Sequence, residues 1–328
     1  WNPSLMSSGG YMYVRFVLDL DRRQLLDRYT KDADPILFYK EGTTSTVSVH
    51  QSKGSENIYL KVNGKVEAST VGDMPTQVLL GQIPMLMSPN HENVLVIGLG
   101  SGVTVGSVGT YPAKRITVVE LEPAVVEACK HFSHVNYQIL KDPRLRVMTY
   151  DARNYLLVTP EKFDVIISEP SNPWMAGVSN LFTREFFTMG SRRLKPAGVF
   201  CQWLQLYKIS PENLRSILQT FHEIFPHLLV FQSSEYDLLI LGSFEYLPID
   251  PGKLRERLSQ PRVKEDLERI QVKSVPDILA HFVFGDQEVS AFVQDAPINT
   301  DDNALLEFSA PKTLYIDTSE ANFEELSR

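Results

Sequence analysis

The spacing of hydrophobic positions changes along the chain. The change separates a strand-rich segment from a longer segment in which strands and helices alternate. Between residues 35 and 71, short β-branched and aromatic runs are separated by polar turns. Asn63-Gly64 lies between two of these runs and is a strong signal for a two-residue hairpin turn. The pattern predicts a small antiparallel sheet, with a short helix over 18–29 before it and a helix over 75–87 after it.

From residue 94 to residue 241, apolar runs of strand length alternate with helical stretches. The predicted strands are 94–97, 116–120, 145–150, 163–168, 199–203, 228–232 and 237–241, and the predicted helices are 123–132, 183–194 and 211–225. This alternation is typical of a parallel, doubly wound sheet, here with an antiparallel strand pair at its edge. Beyond it we expect one or two helices, over 252–258 and 263–270, and a strand-like segment over 304–308.

A glycine turn follows the first strand of this alternating region and opens a helix. Its spacing is Gly98-x-Gly100-x-Gly102, whereas a dinucleotide-binding turn would have its third glycine where this chain has Val103. The closer spacing favours a ligand without a pyrophosphate, such as adenosine carrying a sulfonium chain. Glu120 closes the next strand, where its carboxylate can accept from both ribose hydroxyls. We therefore predict a nucleoside site; the alternative is a turn that serves only helix packing.

Two further acidic residues lie at predicted strand ends on the same edge of the sheet. Asp151 follows the third strand and is placed to meet an adenine amino group. Glu122 has the opposite strand parity to Glu120, and the sequence leaves open whether it binds a ligand or caps the next helix. Ligands of open α/β sheets bind at the carboxyl ends of the strands, which is where these side chains are expected.

The segment Glu169-Pro-Ser-Asn172-Pro-Trp174-Met-Ala-Gly177 directly follows the fourth parallel strand. Glu169 is therefore expected in the same crevice, where a carboxylate can take a proton from an attacking amine and hold a cationic centre. The loop after it, with Trp174, is suited to close over a substrate and exclude water. The alternative is that Glu169 is only a polar strand terminus.

Composition and charge limit the other classes of function. The formal net charge of −8 at pH 7 disfavours a nucleic-acid partner and mildly favours cationic ligands. The two cysteines, Cys129 and Cys201, are too few for a disulfide framework or a zinc site and are expected in the core. His131 and His134 have no acidic or cysteine partner at ligand spacing, so no metal site is predicted. No apolar run reaches the roughly 18 residues that a membrane helix needs.

These elements predict an α/β protein with a methyltransferase-like Rossmann fold, built on a mostly parallel sheet and preceded by a small N-terminal antiparallel β-sheet domain. We expect an N-terminal region over 1–72, a Rossmann-like nucleoside-binding catalytic domain over 73–245, and a C-terminal helical extension with a return strand over 246–328. Trp203 and Tyr207 are expected either to line the ligand pocket or to be ordinary core aromatics.

Several of these segments together resemble the polyamine aminopropyltransferases, the spermidine synthase family. They are 94–102, 118–122, 150–152, 163–173 and 180–187, and the likeness extends over residues 35–245. The resemblance implies transfer of the aminopropyl group of decarboxylated S-adenosylmethionine to an amine acceptor, putrescine or a related polyamine, with release of methylthioadenosine. It also implies that Gly98, Gly100 and Gly102 hold this donor, that Glu120 holds its ribose and that Asp151 meets its adenine.

The acceptor side departs from the pattern of the family. Glu169 stands where the family has the catalytic aspartate of an Asp-Ser-Ser-Asp-Pro loop, and Asn172 stands where that loop has its second aspartate. The family's Tyr-His-Glu stretch falls here on 76–78, which is Thr-Gln-Val. We therefore assign Glu169 to catalysis, and Asn172, Gln77, Asp73 and Trp174 to binding of the acceptor.

Finer likeness points to a bacterial branch of the family in which this domain is the soluble C-terminal part of a membrane-embedded fusion. It rests on 169–177, on the triplet 201–203 and on the run 299–303, and the start at Trp1 fits an excised domain. This likeness implies a cytoplasmic location, as the soluble domain of an inner-membrane protein with an upstream transmembrane segment, and leaves a homodimer open. Asp301 and Asp302 would reach the ligand only if the C-terminal loop folded back over the site; otherwise their run is a turn.

Two other functions stay open from the sequence. A methyltransferase that uses ordinary S-adenosylmethionine would need a cationic or N–H partner for the donor's carboxylate, and no lysine or arginine lies between Val94 and Pro112. A non-catalytic domain that senses polyamines or nucleosides for a membrane transporter would account for Glu169 and Asn172 in place of the two loop aspartates of the family.

Overall fold

Three short helices open the chain. In the computed structural model, which describes residues 2–14 and 18–326, they are α1 (Pro3–Met6), α2 (Gly10–Tyr13) and α3 (Arg22–Thr30). Asp21 fixes the start of α3 because its carboxylate accepts from the amides of Arg23 and Gln24 at 2.7 and 2.8 Å. The helix predicted over 18–29 therefore begins only after this cap.

A four-stranded antiparallel sheet follows these helices, as predicted. Its strands are β1 (Ile36–Glu41), β2 (Thr46–Gln51), β3 (Ile58–Val62) and β4 (Lys65–Ser69), paired in that order. Asn63 and Gly64 both have positive φ, 50° and 79°, which suits the tight turn between β3 and β4. Val47, Val49 and Leu60 are fully buried on the face of the sheet that packs on the rest of the protein.

An eight-stranded sheet forms the centre of the molecule. Its strands are β5 (Asn93–Ile97), β6 (Arg115–Glu120), β7 (Leu145–Thr149), β8 (Phe163–Ser168), β9 (Leu194–Gln205), β10 (His227–Ser234), β11 (Asp237–Ser243) and β12 (Phe282–Gly285). The spatial order is β12-β10-β11-β9-β8-β5-β6-β7. Strands β5 to β9 pair in parallel, and β10 to β12 join them in antiparallel pairs. The mostly parallel Rossmann-like sheet is thus confirmed.

The strand order reverses between β5 and β8, and this reversal positions the site. From β5 the chain continues to β6 and β7 on one side and then crosses to β8 on the other side. In open α/β sheets the crevice at such a switch point, outside the carboxyl ends of the strands, is where ligands bind. The segments that directly follow β5 and β8 therefore lie side by side at the entrance of this crevice.

Helices cover both faces of the sheet. They are α4 (Met74–Met87), α5 (Val103–Val108), α6 (Pro123–Ala128), α7 (Ala152–Val158), α8 (Arg184–Ser191), α9 (Pro211–His222), α10 (Pro251–Leu258), α11 (Pro261–Glu268), α12 (Val275–Leu279), α13 (Asp286–Phe292), α14 (Leu305–Ser309) and α15 (Ser319–Leu326). Nearly all of α4 is buried, between the sheet and α5. Within the described ranges, none of these helices combines the length and the apolar character needed to cross a membrane.

Some sequence-based element assignments were wrong. The segment 304–308, predicted to be strand-like, instead forms helix α14. Leu306 of this helix is buried, and its backbone amide donates a hydrogen bond to the side-chain oxygen of Asn299 at 3.2 Å. Strand β9 begins at Leu194, five residues before the predicted start at 199, because Leu194 already pairs with Phe163 of β8. The four-residue strand β12 was not predicted, since its pairing with β10 depends on segments far apart in sequence.

Candidate active site

The carboxyl edge of the large sheet opens into a cavity of about 1190 Å³. The four-stranded sheet forms one wall of this cavity, and residues of the C-terminal segment 314–319 line it opposite the glycine turn. Pockets that hold one drug-sized ligand usually measure about 300–1,000 Å³. The cavity therefore has room for a nucleoside and a second small molecule at once.

The glycine turn after β5 forms the floor of the cavity. Gly98, Gly100 and Gly102 have φ values of +93°, +51° and +80°, which residues with a side chain rarely adopt. A Cβ added to Gly98 would lie only 2.5 Å from the carbonyl oxygen of Glu169. The turn after β5 and the loop after β8 are therefore in direct contact, and the glycine makes that contact sterically feasible.

Glu120 lies at the end of β6 and faces the cavity beside the turn. Its two carboxylate oxygens accept from the amides of Leu99 and Glu122, each at 2.9 Å. Burial raises the pKa of Glu120 above its usual value, although these backbone hydrogen bonds act in the opposite direction. The carboxylate is thus held in a fixed orientation in the cavity wall, where ribose hydroxyls would meet it.

Asp151 and Glu122 both cap helices at this end of the cavity. Asp151 accepts from the amide of Asn154 at 2.8 Å, at the start of α7, and lines the cavity. Glu122 accepts from the amides of Ala124 and Thr44 at 3.0 and 2.7 Å. Burial works against the charge of Glu122, but its hydrogen bonds prevail and lower its pKa. Glu122 therefore caps helix α6, which is one of the two roles that the sequence left open. It also joins the N-terminal sheet to α6 through its hydrogen bond with Thr44.

Glu169 follows β8 and lines the middle of the cavity. Burial raises its pKa to about 8, and the carboxylates of Asp237, Glu67 and Asp73 add to this effect. A hydrogen bond with the Thr104 side chain acts in the opposite direction. A carboxyl group with a pKa near neutrality is suited to exchange protons with a substrate at physiological pH.

The other predicted acceptor-site residues fall into two groups. Asp73 and Gln77 line the cavity, but the amide of Gln77 is occupied, since it accepts from the Ser101 hydroxyl and donates to the Ser69 carbonyl at 2.9 Å. Asn172 and Trp174 are not among the described residues that line the cavity. They are buried behind it and both contact Tyr207.

Tyr207 links these two residues to the cavity, which it lines itself. The Asn172 amide donates to the Tyr207 hydroxyl at 3.3 Å, and the Trp174 ring lies edge-on to the Tyr207 ring with centroids 5.7 Å apart. The loop after β8 therefore shapes the cavity through Tyr207, and the indole is packed with Met12 and Ala310 instead of facing a ligand.

Sequence reasoning missed two acidic residues of the cavity, Glu67 and Asp237. Glu67 lies on β4 and forms an ion pair with Lys65 at 2.7 Å. Asp237 opens β11 and accepts from the side chains of Thr76, Trp203 and Ser234. Neither residue belongs to a local motif, so only the sheet pairing and the placement of the N-terminal sheet reveal them.

The run 299–303 does not fold over the site. Asp301 forms an ion pair with Arg153, and Asp302 is exposed; neither is among the described residues that line the cavity. The C-terminal segment that reaches the cavity lies further along, at 314–319. Helix α14 supports the loop after β8 instead, because Glu307 accepts from the Ser179 hydroxyl at 2.5 Å.

Candidate metal ligands do not assemble in this structure. Cys129 and Cys201 are fully buried, as expected for core residues. His131 packs against Phe38, with ring centroids 5.8 Å apart. No group of three or more histidine, cysteine, aspartate or glutamate side chains suited to a metal ion occurs in residues 2–14 and 18–326.

The raised pKa of Glu169 predicts a dependence of stability on pH. The folded protein holds this proton up to a pH of about 8, whereas the unfolded chain releases it near the usual glutamate pKa of 4.5. The folded state therefore binds more protons between these values, and the free energy of unfolding falls as pH rises through this window. Glutamine cannot ionise, so Glu169→Gln should lack this fall in the free energy of unfolding. We expect the melting temperature of the variant to exceed that of the wild type by a margin that grows from pH 4.5 to pH 8.

Thermal unfolding measured across this pH range checks the prediction. Glu56→Gln, which removes the same charge from an exposed turn of the N-terminal sheet, is the control and should show a nearly constant difference. A constant difference for Glu169→Gln as well would contradict the assigned pKa.

The glycine turn and the strand-end carboxylates line one cavity at the carboxyl edge of an α/β domain. Residues 74–236 match the family model described as the spermine/spermidine synthase domain. This region is therefore similar to the spermine/spermidine synthase domain, as the sequence resemblance implied.

Individual relatives and solved structures agree with this family. A polyamine aminopropyltransferase from Oceanobacillus iheyensis is 30% identical over 194 residues, which are 58% of this chain and 37% of that protein. One from Alkaliphilus oremlandii is 25% identical over 232 residues, which are 68% of this chain and 81% of that protein. A spermidine synthase crystallised with the transition state analogue AdoDATO has a TM-score of 0.64 at 20% identity, covering 79% of this chain and 88% of that one. The likeness to the crystallised spermidine synthase concerns the fold alone. The chain spans well under half of the length of the Oceanobacillus protein.

Proposed function

We propose that the protein is an aminopropyltransferase that moves the aminopropyl group of decarboxylated S-adenosylmethionine to an amine acceptor. The observation that carries this proposal is the charge of the cavity. Of the described residues that line it, nine are acidic and three are basic. Both substrates of this reaction are cations, and a partly buried site rich in carboxylates favours cations over anions. The family of residues 74–236 supports the same activity.

The donor fits the half of the cavity over β5, β6 and β7. Gly98 and Gly100 line the cavity and allow the ligand to approach the backbone closely, whereas Gly102 packs against Cys129 and Asn136. Glu120 meets the ribose, and Asp151 meets the adenine. These strands are neighbours in the sheet, in the order β5-β6-β7. The aminopropyl chain and the sulfonium then extend from the glycine turn toward Glu169, which follows the adjacent strand β8 on the other side of β5.

The reaction that this placement supports is a direct displacement. The acceptor arrives as an ammonium ion and gives one proton to the ionised carboxylate of Glu169. The freed nitrogen lone pair attacks the methylene carbon next to the sulfonium, and the carbon–sulfur bond breaks with its electron pair going to sulfur. Neutral methylthioadenosine leaves, and the new amine carries the aminopropyl group. The protein contributes orientation and an anionic environment, both of which act on the transition state.

The choice of donor separates this proposal from a methyltransferase. Ordinary S-adenosylmethionine has a carboxylate where the proposed donor has only hydrogen, and this group would enter a cavity already rich in acidic side chains. In the lining, Lys65 is paired with Glu67 and Arg153 is paired with Asp301, so these cations are already engaged by carboxylates. The cavity therefore disfavours the carboxylated donor.

We expect decarboxylated S-adenosylmethionine to bind at least about tenfold more tightly than S-adenosylmethionine, a difference of about 1.4 kcal/mol. Titration calorimetry with each donor measures this ratio, and mass spectrometry after incubation with putrescine, spermidine and other amines identifies any product. Methylated products would favour the methyltransferase. Tight binding of donor or polyamine with no turnover of any amine would favour a sensing domain.

The sequence supports three further proposals: the first rests on the resemblance to the membrane-fused bacterial branch, the second on the order of the elements along the chain, and the third on the resemblance to the aminopropyltransferases. We propose a cytoplasmic location, as the soluble domain of an inner-membrane protein with an upstream transmembrane segment. We also propose the functional units 1–72, 73–245 and 246–328, and putrescine or a related polyamine as the acceptor. A homodimer is a further prediction, which sedimentation of the purified protein would test.

A further inference from the structure

Asp237 lies at the carboxyl edge of the sheet, on the side away from the proposed donor half. It is the first residue of β11 and pairs with Gln205, the last residue of β9. Strand β9 separates β11 from β8, the strand that Glu169 follows. Neighbouring strands are spaced by about 4.8 Å, so β11 and β8 are about 10 Å apart in the plane of the sheet. Asp237 and Glu169 thus flank one stretch of the same cavity.

Three elements hold the Asp237 carboxylate in place. The Trp203 indole N–H of β9 donates to Oδ1 at 3.1 Å. The Thr76 hydroxyl of α4 and the Ser234 hydroxyl of the β10–β11 hairpin each donate to Oδ2 at 2.8 Å. All three donors are neutral, so they fix the orientation of the carboxylate without cancelling its charge. Burial raises the pKa of Asp237, as expected for a charge that these neutral partners leave uncompensated.

Two neighbouring side chains on this side of the cavity, unlike Asp237, contribute no net negative charge. Glu67 is neutralised by Lys65, with which it forms a buried ion pair at 2.7 Å, and it also accepts from the Ser171 hydroxyl. Asn172, which replaces a loop aspartate of the family, is neutral and points to Tyr207. Asp73 lines the cavity as well, but its carboxylate does not cap α4 through a hydrogen bond. Asp237 differs from it because three neutral donors fix the orientation of its carboxylate without pairing its charge with a cation.

We propose that Asp237 binds the second, non-reacting ammonium group of a diamine acceptor while the first amine lies at Glu169. This inference rests on the proposed function and assigns the acceptor a length and a charge pattern. The acceptor carries two cationic groups joined by an aliphatic chain, one group at Glu169 and the other at Asp237. Trp203 and Tyr207, both of which line the cavity between the two acids, provide the apolar wall for that chain.

A matched pair of amines isolates the contribution of Asp237. The probes are 1,4-diaminobutane and n-butylamine, which differ in the second amino group, and calorimetry in the presence of methylthioadenosine measures the binding of each. We expect Asp237→Asn to weaken the diamine by about 10- to 100-fold, the value of one charge-assisted hydrogen bond, and to change n-butylamine by less than about twofold. Glu245→Gln removes the same charge from an exposed position that follows the other end of β11 and is not among the described residues that line the cavity, so it should have a much smaller effect.

Each outcome of this experiment bears on the proposal. An equal loss for both amines, with the affinity for methylthioadenosine intact, would overturn the role of Asp237 even if the wild type transfers aminopropyl groups. Unchanged diamine binding in Asp237→Asn would overturn it as well. A selective loss of the diamine in a protein that shows no turnover would support Asp237 as the ammonium site and would count against only the proposed catalysis. Loss of methylthioadenosine binding would show a folding defect, in which case Asp237→Glu, which keeps the charge, must retain selectivity for the diamine.

Discussion

Replacement of Glu169 by glutamine is expected to lower kcat for aminopropyl transfer by about 10²- to 10⁴-fold, the usual contribution of a general base. Glutamine has nearly the same shape, but it cannot take the proton that the acceptor ammonium must lose. Because the pKa of Glu169 is about 8, kcat/KM for the wild type should fall as pH drops below this value. Steady-state kinetics from pH 6 to pH 10, with methylthioadenosine release as the readout, measure both effects.

The control for this substitution is a test of binding. Glu169→Gln should bind methylthioadenosine as the wild type does, since the proposed donor contacts come from the glycine turn, Glu120 and Asp151. Glu169→Asp should keep part of the activity, because a carboxylate remains although it is one methylene further away. If Glu169→Gln kept more than half of the wild-type kcat, Glu169 would not be the base.

The second large effect is expected from Gly98→Ala. The methyl group would lie 2.5 Å from the carbonyl oxygen of Glu169, a distance at which the backbone must move, and φ at this position is +93°. A side chain forced into such a backbone conformation costs about 1–3 kcal/mol before the clash is counted. Because the displaced group is the backbone of Glu169 itself, we expect both a lower melting temperature and a loss of more than about 100-fold in kcat/KM, equivalent to about 2.7 kcal/mol.

Gly100→Ala is the matched control, since it adds the same methyl group in the same turn. Its φ of +51° is also positive, but no heavy atom lies within 4 Å of the added Cβ. We expect a stability loss of about 1–2 kcal/mol from the left-handed backbone alone. Because Gly100 also belongs to the proposed donor site, the two variants are compared by kcat at saturating donor. Equal losses of kcat would show that the contact between the two loops does not position Glu169.

The donor half of the site could be anticipated from the sequence because its signals are local. A glycine turn after an apolar run, and acids directly after other apolar runs, mark the carboxyl ends of parallel strands without knowledge of the strand order. The structure places Gly98, Glu120, Asp151 and Glu169 at one edge and in one cavity, as expected from that reasoning. Their roles toward a ligand stay predictions until binding is measured.

The acceptor half could not be anticipated because distant segments build it. Asp237 reaches the cavity through the antiparallel pairing of β11 with β9, and Glu67 reaches it through the N-terminal sheet. Residues 314–319 enter from the C-terminal end, whereas the more conspicuous acid run at 299–303 stays outside. Asn172 and Trp174 were assigned by their place in a loop, but a loop position does not fix the direction of a side chain, and both turn toward Tyr207.

The central claim is that this protein transfers an aminopropyl group, and a labelled donor tests it most directly. Decarboxylated S-adenosylmethionine deuterated in its aminopropyl chain is incubated with the protein and 1,4-diaminobutane, and the products are weighed by mass spectrometry. We predict a triamine that carries all of the deuterium, together with an equal amount of unlabelled methylthioadenosine, and at least about 100-fold slower formation of both products with Glu169→Gln. Tight binding of the labelled donor with no labelled amine and no methylthioadenosine from the wild type would contradict the proposed function.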